Sequence, residues 1–186
     1  LQAQGADAVI AQGLEAGGHR GMFLSEDLST QMGTLALLPQ MVQALKLPVI
    51  AAGGIVSAPG IEAARALGAA GVQMGTAYLC SDEAQTSVLH RTALLSGAAQ
   101  HTALTNVFTG RPARGIVNRV IRELGPLSPL APAFPLATTA MAPLRAAAEA
   151  QGSSDFTPLW AGQNTAHIQA RPATDITRDF IAAWRD

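Results

Sequence analysis

Nine residues, Gly13 to Gly21, read GLEAGGHRG and set one imidazole, His19, among four glycines. Glycine loses more backbone freedom on folding than any other residue, so such a cluster belongs where dihedrals are unusual or where the backbone comes very close to something. A neutral imidazole near pH 7 can take a proton from an acidic carbon or hydrogen-bond an anion. Glu15 in the same loop has no second carboxylate nearby in sequence, so it reads as a loop or helix-start charge rather than half of an acid/base pair. His90, His101 and His167 lack metal-ligand spacing with Cys80 or any acidic residue, which predicts surface or locally bonded histidines and no metal site.

The elements that must position this loop follow from hydrophobic runs and their punctuation. Ala8 to Ala11, Pro48 to Ala52 and Gly71 to Met74 are short apolar runs flanked by glycine or proline, the pattern of buried parallel strands. Between them, Leu35 to Leu47 carries Leu38, Met41, Val42 and Leu45 at helical spacing, and Pro48 stops it. Ser57 is placed to cap a helix running through Leu67, with Pro59 in its first turn and Gly68 beyond its end. All three strands end in glycine-bearing turns: Gln12-Gly13 leading to Gly17-Gly18-His19, Gly53-Gly54, and Gly75-Thr76. Ligands of parallel α/β folds sit at the carboxyl ends of strands, and freed backbone amides can wrap a phosphate, so a phosphate-bearing ligand is expected there.

After Leu79 no further strand is expected. The pattern predicts helices from Glu83 to Ser96 and from about Gly115 to Leu124, with a loop containing Thr105 to Gly110 between them. Gly125 to Pro135 holds four prolines in eleven residues and reads as a connector or cover. A helix rich in alanine fits Thr138 to Ala150, and a last helix from Asp175 to Trp184 sets Ile176, Phe180, Ile181 and Trp184 on one apolar face. The division is therefore βα units over residues 1–98 and a mostly helical segment over residues 99–186.

Composition excludes several classes. Twelve basic and thirteen acidic residues give a net charge of −1, too balanced for the basic patch that nucleic acid demands. Arg111, Arg114, Arg119 and Arg122 are the only basic concentration and read as a solvated helix face, since Glu123 interrupts the run. Cys80 is the single cysteine, so no internal disulfide forms; it reads as a small buried residue, and the cytoplasm is the expected compartment. No apolar run is long enough to cross a bilayer. The opening Leu1-Gln2-Ala3-Gln4-Gly5, with no Met and a helix-ending glycine, predicts a fragment of a longer protein.

The segments AQGLEAGGHRG, LPVIAAGGI, GAAGVQMGTAYL and TGRPAR together resemble the nitronate monooxygenase family, and the resemblance continues to the LWAGQ segment at Leu159 to Gln163. It implies the C-terminal portion of a (β/α)8 TIM barrel, about three parallel strands, with the first five strands outside this chain. The family pattern places FMN contacts on Gln12, Gly17, Gly54, Gln73, Met74, Gly75 and Thr76, with Gly18 and Gly53 as neighbours of the same phosphate. His19 falls on the family's active-site histidine. The implied reaction is oxidation of an alkyl nitronate by O2 to a carbonyl compound and nitrite. FMN-dependent enoyl-acyl carrier protein reductases, which use NAD(P)H, are similar through the same loop. A reading of another class is an inactive fragment or a phosphate-binding module that needs the missing half of the barrel, or a partner chain supplying it.

Overall fold

The computed structural model describes residues 1–185. Three parallel strands, β1 (Val9–Gln12), β3 (Val49–Ala52) and β4 (Gly71–Gln73), pair in the order β1-β3-β4. The intervening strand, β2 (Gly18–His19), belongs to a different sheet. Helices α1 (Thr34–Ala44) and α2 (Ala58–Ala66) follow β1 and β3 as the crossovers that a parallel sheet requires. Their facing residues Leu38, Ile61 and Ala64 pack on Val49, Ala51 and Ala11. The closing helix α6 (Ala173–Arg185) lies against α2, contributing Ala183, Phe180 and Trp184 to the same core. Ile181 leaves the expected apolar face and is exposed, because its position on the wheel turns it away from α2.

The second half departs from the helical expectation. Strands β5 (Thr102–Thr105) and β6 (Ala113–Ile116) pair antiparallel, and β2 joins β6 with His19 opposite Ala113. This sheet therefore draws strands from both sides of residue 98. The helix expected from Gly115 begins only at Arg119 and ends at Leu124 (α4), and the one expected from Glu83 spans only Val88–Leu94 (α3). α4 starts late because Ala113 to Ile116 pairs with β5 and Gly115 with Trp160, tertiary pairing that overrides local periodicity. α3 starts late because residues 80–86 form turns whose carbonyls are taken by the Arg91 guanidinium, with Ser87 capping the helix. Helix α5 (Leu136–Glu149) and the irregular proline-rich connector before it match their expected places.

Candidate active site

The two charged side chains of the glycine-rich loop, Glu15 and Arg20, each have structural partners that explain their type. Glu15 reaches across to α1, accepting from Thr34 N at 2.9 and 3.0 Å and from Thr34 Oγ1 at 2.8 Å. Gly33 at the cap position offers no side chain, so a carboxylate 19 residues upstream satisfies the helix start and meets its positive end. Arg20 is buried and spends its donors on carbonyls of the loop, Gly13 O at 2.7 Å and Ala16 O at 3.1 Å, and on Gln31 Oε1 at 3.2 Å. Arg114 on β6 is also buried and donates to Leu14 O at 2.9 Å and Thr102 Oγ1 at 3.1 Å. Burial lowers both guanidinium pKa values, the like charge of Arg114 lowers that of Arg20 further, and Glu15 offsets part of this. The loop is thus shaped by two guanidinium groups holding its carbonyls from below.

The four arginines near Arg111 do not form one solvated face. Arg114 is buried in β6, Arg119 pairs with Glu123 on α4, and Arg111 lies between aromatic rings. Ser57 precedes α2 as expected, but its side chain makes no capping bond.

All nine residues singled out as cofactor contacts line one cleft of about 420 Å³: Gln12, Gly17, Gly18, Gly53, Gly54, Gln73, Met74, Gly75 and Thr76. Sequence reasoning missed the rest of the lining, including Ala16, His90, Trp160 and Asn164. Contrary to expectation, His90 is neither on the surface nor locally bonded: its Nε2 pairs with Trp160 O, 70 residues away, at 3.0 Å, and burial lowers its pKa. Asn164 donates to Gly54 O at 2.9 Å, and Gly162 N donates to Thr76 Oγ1 at 2.9 Å, so the 160–164 segment fixes two of the glycine turns.

Not every glycine serves the cleft. A Cβ on Gly17 would meet Ala161 C and Gly162 N at 2.6 Å, so this glycine admits the neighbouring chain. Gly53 and Gly54 have φ of +118° and +72°, a left-handed turn that L side chains rarely adopt. At Gly75 the added Cβ would meet nothing within 4 Å. Several backbone N–H groups on the cleft wall, those of Gly54 and Gly75 among them, donate to no described residue and are left for a ligand. Gln12 has its amide satisfied inside the protein: Nε2 donates to His19 O at 3.1 Å and Oε1 accepts from Gly21 N at 2.7 Å. Its first task is to close the His loop.

His19 projects from β2 into an adjoining pocket of about 450 Å³ with Arg111, Phe23 and Phe134 on its walls. Its ring lies 5.6 Å from that of Trp160 and 6.2 Å from that of Phe134. Nε2 pairs with Thr109 Oγ1 at 2.9 Å, and Nδ1 has no partner among the described residues. Burial, and then the charge of Arg111, lower the pKa of His19 and keep the imidazole neutral at physiological pH. Trp160 thus walls the cleft and packs against the histidine of the pocket. Among the described residues no cluster of His, Cys, Asp and Glu could hold a metal, and no helix is long and apolar enough to cross a membrane. Cys80 is fully buried and its thiol pKa is raised by burial.

A parallel sheet joined by crossover helices, with a cleft at its strand ends, makes this chain an α/β protein built from successive βα units. The family model for nitronate monooxygenase matches residues 1–182. The nitronate monooxygenase of Pseudomonas aeruginosa is 44% identical over the whole of this chain and 53% of its own length. A probable nitronate monooxygenase of Staphylococcus saprophyticus is 44% identical over 97% of this chain and 51% of its own. The crystal structure of a nitroalkane oxidase from Streptomyces ansochromogenes superposes with a TM-score of 0.90 at 43% identity, covering 99% of this chain and 53% of that one. FabK from Thermotoga maritima superposes with a TM-score of 0.74 at 28% identity, covering 99% of this chain and 56% of that one. The chain belongs to the nitronate monooxygenase family and spans about half the length of the curated relatives it matches.

Proposed function

We propose that this chain supplies the phosphate-binding half of an FMN-dependent nitronate monooxygenase, which oxidises alkyl nitronates with O2 to a carbonyl compound and nitrite. The observation that carries the reading is the cleft itself: nine residues from three strand ends converge on it with the N–H groups of Gly54 and Gly75 unspent, next to the His19 pocket. Gly54, Gly75 and Thr76 would hold the flavin phosphate through backbone and hydroxyl groups. Bound flavin would supply the redox chemistry, which no side chain here can perform.

The protein's own part is acid/base and positional. Neutral His19, with Nδ1 unpartnered, can accept a proton from the carbon beside a nitro group. A nitronate arrives already deprotonated, and for it the imidazole only binds and orients. Trp160 and Phe134 hold the ring against rotation. The outer strands β1 and β4 are where the rest of the barrel would pair, in one longer polypeptide or from a partner chain. One buried, unpaired cysteine supports a cytoplasmic setting.

The test is the absorbance spectrum of the intact purified protein, followed by oxygen uptake with propionate 3-nitronate for wild type and His19→Ala. A flavin spectrum with nitronate-dependent uptake that collapses in the variant is the expected result. Flavin with NAD(P)H oxidation on an enoyl thioester, and no nitronate turnover, would replace this reading with the enoyl reductase one. A protein without flavin would sink the phosphate-site assignment.

A further inference from the structure

Three arginines surround the His loop, and two of them are tied into it by hydrogen bonds. Arg20 and Arg114 are buried and give their donors to loop carbonyls and polar side chains. Arg111 differs. Its Cζ stands 5.7 Å from the ring centroid of Phe23 and 5.7 Å from that of Phe134, and its guanidinium forms no hydrogen bond or ion pair with any described residue. Contacts of this kind engage the face of the guanidinium and leave its N–H edge free. Glu26 borders the same pocket without forming an ion pair with it.

The position of Arg111 is built rather than incidental. A Cβ on the preceding Gly110 would fall on the backbone of Pro132 and Phe134, so only glycine lets the Arg111 loop and the Phe134 segment meet. Thr109 Oγ1, which pairs with His19, also accepts from Arg111 N at 3.3 Å and donates to Arg111 O at 3.2 Å. One hydroxyl therefore ties the backbone that carries the cation to the imidazole.

We infer that Arg111 is the anion-binding residue of the His19 pocket, and that it takes a planar two-oxygen anion through the free edge of its guanidinium. A carboxylate and a nitronate share that shape, with two oxygens in one plane to meet two parallel N–H groups. The anion could be the reacting group or a carboxylate elsewhere on the same substrate, and the two sources separate by experiment. The activity arm of the test rests on the nitronate reading; the binding arm does not.

The intact protein is titrated calorimetrically with propionate, using propionamide as the neutral match, for wild type, Arg111→Gln, Arg111→Lys and the exposed control Arg145→Gln. Turnover of propionate 3-nitronate and of ethyl nitronate is then measured for the same set, with thermal melts confirming that each variant folds. Propionate binding that weakens at least about tenfold in Arg111→Gln, less in Arg111→Lys and not in the control is the expected result. A KM raised only for propionate 3-nitronate places the distal carboxylate on Arg111; a KM raised for both places the nitronate group there. If the protein oxidises no nitronate, the functional reading fails while Arg111-dependent propionate binding still upholds the inference. Propionate binding and KM values that are indifferent to Arg111 overturn it, as does a protein that neither binds propionate nor turns over a nitronate.

Discussion

The strand-end cleft and the His19 pocket flank the loop from Gly13 to Gly21, yet they are made from different parts of the chain. The cleft is largely a backbone construction: its turns are glycine, and the donors on its wall are main-chain N–H groups. The pocket is a side-chain construction, in which an imidazole, a guanidinium and two phenyl rings are held in place by the antiparallel sheet and the connector. Local chain geometry makes the first, and packing between distant segments makes the second. The two should therefore fail under different substitutions.

The largest effect is expected where both depend on one residue. Arg20→Met should leave Ala16 O without a donor, Gly13 O with only its bond from Ala16 N and Gln31 Oε1 without its charged partner. It should cost about 3 kcal/mol in denaturant unfolding, because losing hydrogen bonds from a buried charged group carries a desolvation penalty. Gly17→Ala should follow, at about 2 kcal/mol, since the new Cβ runs into backbone that cannot move freely. Its counterpart Gly75→Ala sharpens the contrast: stability should stay within about 0.5 kcal/mol of wild type while flavin content falls, as the methyl enters only open cleft. Equal destabilisation by the two alanines would mean that the cleft is not a backbone cradle.

A pH profile probes the pocket alone. His19 must be neutral to act as a base, and its pKa lies below the ordinary imidazole value through burial and then Arg111. Turnover of a neutral nitroalkane should persist as pH falls through that ordinary value and drop only below it. Removing the cation in Arg111→Gln eases protonation of the imidazole and should move this acid limb upward. A modest effect belongs to Glu15→Gln, which keeps an acceptor for Thr34 N but loses the charge at the start of α1, worth about 0.5–1 kcal/mol in a thermal melt.

The parallel half was legible because its signals are local. Three apolar runs, a proline at each helix boundary and glycine after each strand predicted β1, β3, β4, α1 and α2, and with them the wall of the cleft. The antiparallel sheet was not legible. β2 is two residues long, and β6 reads Ala-Arg-Gly-Ile, with an arginine and a glycine where alternation would be sought and burial along its whole length. Its arginine is buried only because Leu14 O and Thr102 Oγ1 lie in reach, 100 and 12 residues away in sequence.

By itself the sequence determined the family, the alternation of a βαβαβ unit, the glycine turns at its strand ends and the histidine in the loop beside them. Each follows from periodicity and dihedral preference within a few residues, or from motifs quoted whole. Only the tertiary structure decided that Trp160 would bridge cleft and pocket, that His90 would fix its carbonyl, and that Arg111 would stand between two phenyl rings with its guanidinium edge free. Those outcomes depend on which distant carbonyls and rings come within hydrogen-bond or packing distance, and no local pattern encodes that.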